Sequence, residues 1–233
     1  MKDEFFKFPS TPHLTTLKGV EVRDDKVLSE AERIDFLQHE LIVEEKVDGA
    51  NLGISFDSEG NLFLQNRGSY LKFPAVGQWK QLELWLNPKM DALFETLTDR
   101  YILFGEWCYA QHSVFYNRLP DWFLGFDIYD KQAEKFLSVE RRKKLFKKMG
   151  IKEVPQLCNG HYSFKEISTL LAQSKISDKL AEGLYLRIDN TDWLQKRAKL
   201  VRASFIQSVD EHWSRGAIKP NRLDAKVWEV HCD

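Results

Sequence analysis

Glu44-Glu45-Lys46-Val47-Asp48-Gly49-Ala50-Asn51 is the stretch that decides how this chain is read. The apolar run Leu41-Ile42-Val43 leads into it, which predicts a partly buried strand over 41–47 with Lys46 near its end. Gly49 is expected to let the backbone turn, after which Leu52-Gly53-Ile54-Ser55-Phe56 resumes strand alternation over 52–57. An amine at such a place loses hydration, and burial lowers its pKa, which is what a lysine nucleophile needs. Taken alone, Lys-x-Asp-Gly fits a solvated, charged hairpin at least as well. The rest of the chain decides between the two.

Five later stretches also set chemically active side chains in or beside strands. Residues 61–66 pair with 52–57 across the turn Asp57-Ser58-Glu59-Gly60-Asn61 and run into Arg67-Gly68. Tyr101-Ile102-Leu103-Phe104-Gly105-Glu106-Trp107 is an apolar strand closed by a carboxylate, which needs a partner or a function. The strand over 122–129 contains Phe126-Asp127-Ile128-Tyr129, and alternation puts Phe126 and Ile128 on one face, Asp127 and Tyr129 on the other. Glu182-Gly183-Leu184-Tyr185-Leu186-Arg187 begins a strand over 183–188; Ala198-Lys199-Leu200-Val201-Arg202 lies in the last one, over 197–202.

In this order the Lys46 stretch and those around Glu106, Phe126, Glu182 and Lys199 resemble the five motifs of the covalent nucleotidyltransferases, the polynucleotide ligases and mRNA capping enzymes. The likeness is strongest to the RNA ligase 2-like family of ATP-dependent RNA ligases and runs from about Phe8 to about Trp213. It implies an α+β nucleotidyltransferase (ATP-grasp-like ligase) fold of antiparallel sheets flanked by helices, in one domain over 1–233, without an OB domain. It implies that Lys46 attacks the α-phosphate of ATP, and that Arg67 meets the α-phosphate or the 5′-phosphate end. Glu106 would accept from a ribose hydroxyl, Phe126 would stack on the base, and Lys199 would neutralise the triphosphate. Glu182 would place a divalent cation, Mg2+ or Mn2+, and Asp127 is a candidate for organising metal-bound water. Asp48 and Asn51 are implied at the strand ends.

Two details need the residues themselves. Glu44 shares the strand face of Lys46 and could hydrogen-bond the base, whereas alternation points Glu45 away. The family places two lysines one residue apart in the last motif; here Lys199 is followed by Val201. Arg202 could supply the second charge, but alternation sets it opposite Lys199. Ahead of the first motif, Pro9-Ser10-Thr11-Pro12-His13-Leu14 matches a family segment that flanks the nucleotide pocket.

Helices are expected over 28–39, over 76–100 with a break at Asn87-Pro88, over 138–149, from Ser163 to Ala172, and over 207–215 within a C-terminal extension, 205–233. No apolar stretch approaches the ~20 residues that span a bilayer, and no secretory signal opens the chain. Three dispersed cysteines, Cys108, Cys158 and Cys232, suggest no disulfide framework and an intracellular setting. The net charge of −1 advertises no nucleic-acid binder, but Arg141-Arg142-Lys143-Lys144, Lys147-Lys148 and Lys152 form a basic block that reads either as a solvated helix face or as a phosphate-backbone contact.

The function expected is ATP-dependent sealing of 5′-phosphate and 3′-hydroxyl ends in nicked or broken RNA. A DNA-sealing enzyme of the same superfamily, a capping guanylyltransferase and a catalytically inactive binding module remain as alternatives. The sequence leaves open which polynucleotide is natural and whether a kinase or phosphatase partner heals the ends.

Overall fold

A computed structural model describes residues 5–16, 27–202 and 218–226. The expected helix over 207–215 lies outside the described residues. The order is α1 (Glu30–Leu37), β1 (Leu41–Lys46), β2 (Ala50–Phe56), β3 (Leu62–Gln65), α2 (Leu82–Leu86), α3 (Met90–Leu97), β4 (Tyr101–Trp107), β5 (Phe123–Asp130), β6 (Lys135–Phe136), α4 (Val139–Met149), β7 (Lys152–Glu153), β8 (Gln156–Gly160), α5 (Phe164–Thr169), β9 (Gly183–Asp189) and β10 (Leu194–Val201). The strands make two sheets. One runs β10-β9-β1-β8; the other runs β3-β2-β4-β5-β6, with β7 added parallel to β5. All other pairings are antiparallel. The α+β arrangement of antiparallel sheets with flanking helices is the expected one.

Local chemistry explains the helix ends. Ser29 caps α1 in a reciprocal capping box with Glu32, and Ser163 does the same for α5 with Glu166. Ser138 caps α4, which stops at Gly150 in the left-handed conformation (φ 64°) that glycine adopts without penalty. The break at Asn87-Pro88 is a 3-10 turn, Asn87–Lys89, between α2 and α3.

Each sheet buries one face under helices. Leu52, Ile54, Leu103 and Ile128 of the larger sheet pack on α2, α3 and α4; Leu41, Val43, Leu184 and Leu186 of the smaller one pack with Phe36 of α1 and Ile167 of α5. The N-terminal segment covers the other face of the larger sheet. Phe6 stacks on Tyr129 at 3.9 Å, and Phe8 meets Phe104, Phe126 and Phe136 edge-on. The segment then crosses to the smaller sheet, where Leu14 donates to the Lys199 carbonyl at 2.7 Å.

Gly49 corrects one expectation. It has no left-handed φ; instead a Cβ there would lie 2.7 Å from the Trp107 carbonyl oxygen. The chain does bend at Gly49 between β1 and β2, as expected, but what demands glycine there is the close passage of β4 rather than a left-handed φ.

Candidate active site

A cleft opens between the two sheets, with a volume of about 810 Å³ including its mouth, lined by Lys46, Asn51, Arg67, Glu106, Phe126 and Lys199 among others. The topology gathers residues far apart in sequence. Lys46 ends β1 opposite Gly183, so Glu182 falls beside it; Asn51 of β2 pairs with Glu106 of β4.

Lys46 Nζ contacts both carboxylate oxygens of Glu182, at 2.7 and 2.8 Å. Glu106 accepts from the Gly49 amide at 3.2 Å. Burial pushes the Glu106 carboxyl up to about 8, with Glu182 and Asp48 adding to the rise and Lys46 opposing it. Burial likewise pushes Glu182 up to about 7, against the pull of Lys46. The expectation for Lys46 is overturned. Burial does pull its pKa down, but Glu182, Glu106 and Asp48 together outweigh it and the net shift is upward. In the ligand-free protein Lys46 therefore rests as an ammonium.

Asp48 is placed differently from the strand-end contact expected of it. Its Oδ2 accepts from the backbone amides of Ser113 and Val114 at 2.7 and 2.8 Å, and its own amide donates to the Tyr116 hydroxyl at 2.7 Å. The buried carboxylate pins the loop after β4 to the nucleophile strand. Asn51 Oδ1 is buried with no hydrogen-bond partner among the described residues, an acceptor that a ligand donor would satisfy.

Arg67 stands exposed on a turn held by Asn66, whose Oδ1 accepts from the amides of Gly68 and Ser69 at 2.8 and 2.9 Å. Lys199 lines the cleft, near enough to Glu182 to lower its pKa. Arg202 does not join it. Its guanidinium donates to the carbonyls of Ala181 and Leu180, so it is spent on backbone and corrects the idea of a second phosphate cation.

The floor of the cleft is ionic, and here the sequence misled most. Between β4 and β5 the register shifts: Phe104 faces Asp127 and Gly105 faces Gly125, which leaves Phe126 in a bulge. Simple alternation therefore fails. Phe126 joins Phe8 at the cleft, whereas Ile128 packs under the helices. Asp127 is fully buried and bonded to Arg187, to Arg197 at 3.2 Å, and to the Tyr185 hydroxyl at 3.5 Å. A carboxylate shared among those donors is not free to order water on a metal ion, which corrects that expectation.

Glu44 lines the cleft, as expected of it. Its carboxylate, 1% exposed, pairs with Arg142, which also donates to the Phe126 carbonyl at the bulge. Glu45 turns away, as alternation predicts, and accepts from Ser174 Oγ and from the Lys175 amide at 2.8 Å. Arg142, Arg187 and Arg197 are the site residues whose roles the sequence hid. Arg142 sat in the basic block, where its buried spacing with Val139, Phe146 and Met149 was the available signal.

The fold is that of solved RNA ligases from Naegleria gruberi. The one with PPi superposes with a TM-score of 0.59 at 19% identity, covering 75% of this chain and 52% of that one. A mutant with ATP and Mn gives 0.58 at 18% (76% and 54%), and a mutant with AMP and Mn gives 0.59 at 17% (77% and 54%). This chain spans about half the length of those ligases. No curated protein sequence matches it. The RNA ligase family model matches residues 39–201, and the chain belongs to that family.

Proposed function

We propose that this protein is an ATP-dependent RNA ligase with a nucleotidyltransferase fold, acting through a lysyl-AMP intermediate. The observation that carries the reading is Lys46 Nζ, held by Glu182 at 2.7 Å on the wall of a cleft that also carries Arg67, Phe126 and Lys199. Lys46 must first give up a proton, and Glu182, in contact with Nζ, is the group placed to receive it once substrate charge has shifted the balance between the two. The free amine then attacks the α-phosphorus of ATP: the N–P bond forms, the P–O bond to pyrophosphate breaks, and pyrophosphate leaves.

Phe126 offers its ring to the adenine, and Asn51 Oδ1 and Glu106 offer acceptors to ribose hydroxyls. Arg67 and Lys199 face the phosphates, where a planar guanidinium and a point charge suit phosphoryl transfer. A divalent cation fits the donors present. Among the described residues no cluster of three or more His, Cys, Asp or Glu could cage one, which leaves Glu182 with the substrate's own phosphate oxygens, the mode Mg2+ prefers. Such an ion supplies charge neutralisation at the phosphates.

The AMP then passes to an RNA 5′-phosphate, and a 3′-hydroxyl displaces AMP to form the phosphodiester. Breaks with other termini would need healing first by a kinase and a phosphatase. The test is intact-mass measurement after incubation with ATP and Mg2+, followed by sealing of nicked duplexes with RNA or DNA on either side. Wild type should gain one AMP and Lys46→Ala none, with sealing that requires a ribonucleotide 3′-hydroxyl. Nucleotide binding with no AMP gained would make the chain a binding module instead.

A further inference from the structure

Apart from Arg142, the basic block on and just after α4 is not used by the site. That helix buries Val139, Arg142, Phe146 and Met149, and none of its residues lines the cleft. The opposite face carries Lys144, Lys147 and Lys148, all exposed, with exposed Lys152 just beyond the Gly150 cap. Among the described residues, none of these four lysines has a carboxylate within salt-bridge distance. The one carboxylate on the helix, Glu140, sits in the first turn, 4.0 Å from Lys143.

Beside the helix, the Arg141 guanidinium stacks over the Trp193 ring at 4.3 Å, and Lys135 approaches the same ring at 5.9 Å. Arg141, Lys144 and Lys148 follow one line along the helix, spanning roughly 10 Å. The helix dipole accounts for lysines in the last turn. It does not account for Lys144, Lys152 or the Arg141–Trp193 stack. Solvated helix faces usually interleave both signs of charge; this one carries a single sign.

From this we infer that the outer face of α4 docks the phosphate backbone of duplex RNA, at a surface separate from the nucleotide cleft. The inference rests on reading RNA as the substrate. A duplex is favoured over a single strand because Trp193 is already covered by Arg141, so the face presents cations and no open ring for an unpaired base to stack on. Docking here would hold a nicked duplex while its ends exchange at the cleft.

The test is fluorescence anisotropy with a nicked RNA duplex across a salt series, using the full chain. Lys144→Gln/Lys148→Gln is compared with Lys165→Gln/Lys196→Gln, which removes the same charge from the side of the smaller sheet. The α4 pair should bind about tenfold more weakly at low salt, with the slope of log affinity against log salt reduced by about 2. The matched pair should bind like wild type, and all three should take up AMP equally. Unchanged binding by the α4 pair overturns the inference, as does equal weakening by both pairs, which would report net charge alone. So does an equal effect on single-stranded RNA, or a defect seen on anionic lipid vesicles and not on RNA. A wild type that takes up no AMP yet binds duplex through α4 would sink the ligase reading and leave this surface standing.

Discussion

Replacing Glu106 with Gln should stabilise the ligand-free protein increasingly as pH rises, while weakening nucleotide capture. The Glu106 carboxyl is pushed from 4.5 up to about 8, mainly by burial. At 1.36 kcal/mol per pK unit the full difference is about 5 kcal/mol. The side chain keeps part of its surface on the cleft, so screening by solvent leaves about 2–3 kcal/mol. The folded state binds this proton more tightly than the unfolded chain does. Its contribution is therefore intact below about pH 4.5 and is lost as pH rises through about 8. Gln cannot ionise, yet its amide oxygen can still accept from Gly49. Urea melts at about pH 5 should find the two proteins alike, and at about pH 9 the variant should be ahead by about 2–3 kcal/mol. Losing one carboxylate beside Lys46 trims that gain and does not reverse it. A stability difference that stays constant between the two pH values, or a variant that is weaker at the higher one, would refute the burial argument. AMP uptake should fall all the same, because the acceptor offered to the ribose is weakened.

Asp127→Asn should cost about 3–5 kcal/mol in urea melts, since it takes the main counter-charge from buried Arg187, which keeps only Asp189 at 3.4 Å, and from half-buried Arg197; a loss below about 1 kcal/mol would mean the network is not what holds the floor. Asp48→Ala should free the Ser113 and Val114 amides, at about 1–3 kcal/mol, and appear as faster hydrogen exchange confined to that loop; unchanged protection there would argue against the pin. Gly49→Ala should destabilise by about 1–3 kcal/mol through the clash with the Trp107 carbonyl, and AMP uptake should drop because Lys46 moves with its strand; a stable, active variant would show that β4 can give way.

Much of this molecule was legible because its strands are short, apolar and regular. The period-2 pattern placed seven strands within a few residues; β6 and β7 were missed because two residues carry no period, and β8 because Gln156-Leu157-Cys158-Asn159-Gly160 is too polar to announce itself. Serine caps and Gly150 gave the helix ends, since capping is local chemistry. The bulge at Phe126 was not legible. An extra residue in one strand is defined only against its partner, and once inserted it swings Phe126 to the cleft and cancels the face assignment that alternation made.

The state of Lys46 shows most sharply why local reasoning stops where it does. Burial at a strand end is readable from the run Leu41-Ile42-Val43, and burial alone lowers a lysine's pKa. The opposing charges come from Glu106 and Glu182, brought in by β4 and β9 from 60 and 136 residues away. Each of those strands is predictable, but their convergence on one amine is a property of the pairing order β9-β1 and β2-β4. Sign matters here more than size. A lysine made neutral by burial would react with ATP on arrival, whereas one held as an ammonium by two carboxylates reacts only after ligand charge has displaced them. On the proposed mechanism, the sheets therefore make Lys46 depend on its substrate, with Glu182 holding the ammonium in place until ligand charge intervenes.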